Sequence, residues 1–106
     1  MAAPNPKLEV TYPLIEEIMR VDQPIGLVAQ ARHAFYNGRF DEAQVSLNKV
    51  KQLEPHMYEA ALLEAEMHLI EERFDAAKLQ LQPLMADLNT PLWIRIMAEV
   101  FFNQIP

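Results

Sequence analysis

The chain has 106 residues, 51% of them hydrophobic, which suits one globular domain with a modest core rather than a disordered segment. Nine basic residues stand against fifteen acidic ones, a formal net charge of −6. That balance argues against nucleic acid and against an anionic membrane surface as partners, because both are gripped by basic patches. The chain has no cysteine, which excludes disulfides and thiol-based metal or redox chemistry.

Residues 1–10, with Pro4 and Pro6 and no periodicity, predict a flexible tail without the apolar stretch of a signal peptide. Thr11-Tyr12-Pro13 reads as a helix start, with Leu14, Ile15, Ile18 and Met19 on one side and Glu16, Glu17 and Arg20 on the other. Asp22-Gln23-Pro24 breaks it and opens a second helix over 24–36, in which Leu27, Val28, Ala31, Ala34 and Phe35 recur at helical spacing. Gly38 stands where a left-handed residue ends a helix. Asp41 and Glu42 open a third helix that should bury Ala43, Leu47, Val50 and Leu53 and stop at Pro55. Further helices are expected over 57–71, over 74–86 with Pro83 kinking or shortening its last turn, and over 91–103 after a Thr90-Pro91 start. No run reaches the roughly 18–20 apolar residues of a membrane span, and 92–102 is interrupted by Arg95 and Glu99. A cytoplasmic protein is the expectation.

Arg39-Phe40-Asp41-Glu42-Ala43 aligns with Arg73-Phe74-Asp75-Ala76-Ala77, 34 residues later. That is the period of a helix–turn–helix repeat. Ala31, Phe35, Gly38, Phe40-Asp41-Glu42-Ala43 and Pro55 resemble the tetratricopeptide pattern of small residue, aromatic, turn glycine, aromatic-acid-acid-alanine cluster and closing proline. The second instance keeps Ala65, Phe74-Asp75 and Ala77, with Glu72 in place of the turn glycine and Asn89 in place of the proline. The family's tryptophan is replaced by Leu27 and Ala61. The resemblance implies an all-α fold, an antiparallel helix-hairpin solenoid with a right-handed superhelix of five to six short helices. It implies one domain over 11–106, with repeats at about 24–57 and 58–91 and a last helix over 91–103. Alanines at 31, 43, 65 and 77 would let helix axes approach to the narrow end of about 8–10 Å.

In that family the first helix of each repeat lines a concave groove. The resemblance places Val28, Arg32, Phe35 and Tyr36 there, and Glu59, Leu62, Glu66, Leu69 and Ile70 from the second repeat, with Trp93, Ile96 and Val100 from the last helix. Only Arg32 is basic in the two repeats' share, and Glu59 and Glu66 would repel a carboxylate, so a clamp for a peptide's C-terminal carboxylate is disfavoured. An apolar peptide or amphipathic helix suits the groove better, and ordinary inter-helix core is the competing reading of each position.

The last helix is apolar nearly all round, including Trp93, Ile96, Met97, Val100, Phe101 and Phe102, with one polar line of Arg95, Glu99 and Asn103. A terminal helix should show water a broad polar face. The expectation is that it packs on the helix near the N-terminus, forms a dimer or partner surface, or is followed by more chain in the natural protein.

His33, His56 and His68 are far apart, with no metal-binding spacing; Glu64 and Glu72 flank His68 by one turn each, which reads as a solvated helix face. Ser46 has no histidine at helical reach, and there is no nucleophile elbow or phosphate-binding loop. No metal, no cofactor and no enzymatic activity are expected. The expected function is a non-catalytic protein-binding adaptor or chaperone holding an apolar or helical segment of a partner. The alternative is a structural module that dimerises through its last helix.

Overall fold

The computed structural model describes residues 23–106, so the tail and the helix expected near Thr11 lie outside the described residues. Five α-helices are present among the described residues, with no strands: α1 (Pro24–Tyr36), α2 (Phe40–Leu53), α3 (Tyr58–Ile70), α4 (Phe74–Ala86) and α5 (Leu92–Asn103). The chain divides into two compact units, one up to Lys49 and one from Val50 to Pro106, with the boundary inside α2.

The period seen in the sequence recurs in the backbone. α1, α3 and α5 begin at 24, 58 and 92, and α2 and α4 begin at 40 and 74, each step being 34 residues. The hydrogen bonds at the helix ends repeat with it. After α1, Arg39 N–H donates to Ala34 O (2.8 Å) and Gly38 N–H to Phe35 O (3.0 Å). After α3, Arg73 N–H donates to His68 O (2.8 Å) and Glu72 N–H to Leu69 O (3.1 Å). This paired pattern satisfies carbonyls that a helix end leaves open, and it needs a left-handed residue just past the end. Gly38 fills that place at φ 78° and Glu72 at φ 61°.

Helix starts follow simple rules. Pro24 occupies the first turn of α1, where no N–H is needed. Asp41 and Glu42 lie in the first turn of α2, Glu59 in that of α3 and Asp75 in that of α4, matching the positive end of each dipole. Pro91 itself is the N-cap of α5, and the Thr90 hydroxyl is buried without a hydrogen-bond partner rather than capping the helix. The preceding turn is held by Asp87, whose carboxylate accepts from Asn89 N–H (2.9 Å) and from the Tyr58 hydroxyl (3.5 Å). α4 continues through Pro83 to Ala86 and closes its last turn with Asp87 N–H donating to Pro83 O at 3.0 Å.

In the first unit, Leu27, Val28, Ala31, Ala34, Phe35, Ala43 and Leu47 are buried. The turn brings the rings of Phe35 and Phe40 to 5.4 Å, in a tilted arrangement that aromatic pairs favour. In the second unit α3 packs on α4, α4 on α5, and α3 also reaches α5. Their shared core holds Leu62, Ala65 and Leu69 from α3, Ala77, Leu81 and Leu84 from α4, and Ile94 and Ala98 from α5. Ala31, Ala43, Ala65 and Ala77 are all fully buried, as close helix approach requires. Leu53, expected inside, is 56% exposed because it is the last residue of α2, at the point where the helix ends.

The two turn positions give a paired test. A Cβ on Gly38 would meet no atom within 4 Å, so Gly38→Ala meets backbone strain alone and should cost about 1 kcal/mol. Glu72→Gly removes the same kind of strain and should raise stability by about 0.5–1 kcal/mol. Urea unfolding of both variants measures this; a Glu72→Gly protein less stable than the parent would show that the Glu72 side chain contributes more than its backbone costs.

Candidate functional site

The residues expected to form a groove are placed very unevenly. Val28 and Phe35 in the first unit and Leu62 and Leu69 in the second are buried core residues. Arg32, Glu59 and Glu66 are half-buried. Tyr36 and Ile70, one period apart, are 62% and 60% exposed. Four of the nine groove positions in α1 and α3 therefore serve packing, since the helical spacing that would line a groove is also the spacing that fills a core.

α5 behaves differently. At about 100° per residue, Ile94 and Ala98 mark one side of the helix, and both are fully buried against α3 and α4. On the opposite side lies the line Leu92, Ile96 and Val100, all exposed. Trp93 and Met97 extend it along one edge, also exposed. Arg95 and Glu99 bound the other edge. A shallow depression of about 210 Å³ lies on this side, lined by Leu92, Arg95, Ile96 and Glu99 with Met85 of α4.

Of the six residues expected as an interface, Trp93, Ile96, Met97 and Val100 lie on this outer face. Phe101 and Phe102 do not; they are partly buried and pack on the core beside Ile94 and Ala98. Leu92 was absent from the expected set, although its spacing of four from Ile96 placed it on the same line. The Arg95 Nε is buried and has no hydrogen-bond partner. The salt bridges resolved among the described residues join Arg39 to Glu42, Lys51 to Glu64 and Arg73 to Glu71, and include neither Arg95 nor Glu99.

The polar residues elsewhere form a different pattern from the solvated face expected around His68. Glu64 is buried, only 7% exposed. Its carboxylate pairs with Lys51 at the end of α2 and accepts from Gln80 Nε2 of α4 at 2.9 Å. A buried carboxylate persists when its oxygens are met in this way. Glu72 lies beyond the end of α3 in the turn, and His68 Nδ1 is buried with no partner. Among the described residues no group of three His, Asp or Glu side chains could hold a metal ion, and no helix is long and apolar enough to cross a membrane. Compared with known proteins, the chain matches no family model, no curated protein and no solved structure.

Glu64 and Lys51 should differ sharply under substitution. Glu64→Ala leaves the Gln80 amide without its buried acceptor and should cost about 2 kcal/mol. Lys51→Met should cost less, about 1 kcal/mol, because the Glu64 carboxylate keeps its Gln80 hydrogen bond and water can reach it from the half-exposed Lys51 side. Thermal or urea unfolding ranks the two; equal losses would mean that the ion pair, and not the buried acceptor, dominates.

Proposed function

We propose that the chain is a non-catalytic protein-interaction module, a tetratricopeptide-like helical repeat whose working surface is the outer face of α5. The 34-residue recurrence of helix starts and end-turn hydrogen bonds supports the repeat assignment. The helix-hairpin solenoid, adaptor and chaperone readings rest on that resemblance.

One observation carries the choice of surface: five apolar side chains, Leu92, Trp93, Ile96, Met97 and Val100, stand exposed together on α5, opposite its buried side. Contiguous exposed apolar surface on a folded domain marks a contact site. The face is a ridge of helical side chains at i, i+4 and i+8, and its natural complement is the apolar stripe of another amphipathic helix. The edge pair Arg95 and Glu99 gives such a helix something to read besides hydrophobicity. The partner is therefore a polypeptide helix, with no nucleic acid, membrane or cofactor involved.

Trp93 is the sole tryptophan and lies on this face, 53% exposed, so it reports on the contact directly. Its emission should shift to shorter wavelength and saturate as a neutral amphipathic Leu-rich helical peptide is titrated in, or as the protein itself is concentrated. Ile96→Asp, at a half-exposed position that leaves the core intact, should weaken either effect by about 10-fold or more. Trp93 emission that responds to neither titration would remove the face as a docking surface.

A further inference from the structure

We propose that the occupant of the α5 outer face is a second copy of this chain, paired antiparallel through α5 about a two-fold axis near Met97. This rests on the reading of that face as an interaction surface and specifies its partner.

The repeat register narrows the choice of occupant. Stepping back 34 residues, Ile96 corresponds to Leu62, Arg95 to Ala61 and Glu99 to Ala65. In α3 this side packs against α4, with Leu62 and Ala65 sharing the core with Ala77 and Leu81. A helix laid on α5 in the way α4 lies on α3 would meet Arg95 and Glu99 where α3 offers two alanines. Against a wholly apolar stripe these two charges, four residues apart on one edge, would have only each other as partners. An occupant that offers an acid opposite Arg95 and a base opposite Glu99 adds ion pairs across the contact and is favoured over a wholly apolar one.

Another α5 does so. A two-fold contact sets one patch against itself, so the patch must be self-complementary. In an antiparallel pair, residues on the same edge of each helix face one another. With the axis near Met97, Arg95 of each copy lies opposite Glu99 of the other, and both ion pairs form at once. The same placement brings Ile96 next to Ile96 and Leu92 next to Val100, each within about one residue of level, and sets Met97 beside Met97 on the opposite edge. The overall charge of −6 opposes self-association, but the face itself carries one cation and one anion and is locally neutral. A parallel pair about an axis along the helices would set the Arg95–Glu99 edge of each copy against the Trp93–Met97 edge of the other, leaving both charges without a partner across the contact, and is disfavoured.

The test is a charge-swap series in sedimentation equilibrium on the full chain, from about 1 µM to about 1 mM. The parent should show a reversible monomer–dimer equilibrium. Glu99→Arg, at an exposed position, sets like charges opposite each other at two places and should raise the dimer dissociation constant by about 10-fold or more. Arg95→Glu should do the same, and far-UV circular dichroism checks that it folds. The double variant Arg95→Glu with Glu99→Arg restores both pairs and should recover the parent value to within about 3-fold. A parent protein that stays monomeric throughout overturns the proposal, as does a dimer indifferent to Glu99→Arg or one that the double swap fails to rescue. If the parent is monomeric but the Leu-rich peptide still shifts Trp93, a foreign helix is the occupant and the interaction surface stands. If neither occurs, both fall.

Discussion

The architecture depends on one backbone requirement: a left-handed residue immediately after α1 and again after α3. Only in that conformation do the next two N–H groups turn back onto the open carbonyls of the helix, at Ala34 and Phe35 in one repeat and at His68 and Leu69 in the other. The turn then delivers the following helix at a fixed position, with its first buried alanine, Ala43 or Ala77, four residues past the turn arginine. Gly38 meets the requirement freely. Glu72 meets it against the preference of its own backbone and holds because α3 and α4 are fixed by their packing. Two different residues are thus brought to one conformation by what surrounds them.

α5 shows the other side of periodic construction. It begins in register with α1 and α3 and buries Ile94 and Ala98, yet the side that α3 gives to α4 remains open. Arg95 and Glu99 stand where α3 has Ala61 and Ala65, while Leu92, Ile96 and Val100 keep the face from being a plain solvated cap. Apolar area and a specific charge pair are both present, which is the combination that a selective contact uses.

The helices were legible because their stops are chemical: Gly38, Pro55 and Pro91 punctuate segments whose apolar residues recur at helical spacing. The period was legible because two clusters, at 39–43 and 73–77, retain their residue types. Side assignment was less so. Val28, Phe35, Leu62 and Leu69 looked like groove residues by family register, but they are the apolar positions that the core claims first. On α5, Phe101 and Phe102 read as interface because the helix is apolar nearly all round, although they lie next to the buried line of Ile94 and Ala98. The tie among Lys51, Glu64 and Gln80 could not be seen at all, because its members are 13 and 16 residues apart and meet only once three helices are in place. In sequence, Glu64 had only His68 as a visible neighbour.

That buried carboxylate has a consequence for how the chain finds its fold. Repeats of one length and one turn geometry are prone to exchange, with a helix settling into a sibling's slot in its own chain or in a neighbouring one. The position of Glu64 is held by Gln30 one period earlier and by Ala98 one period later. Among the described helices only α3 therefore brings a charge to that depth, and its own slot supplies Lys51 and Gln80 to receive it. In any other slot the carboxylate would be stranded away from water, at a cost of several kcal/mol. Glu64 works as a proofreader of assembly: the native slot meets its carboxylate, and the near-identical wrong arrangements leave it stranded.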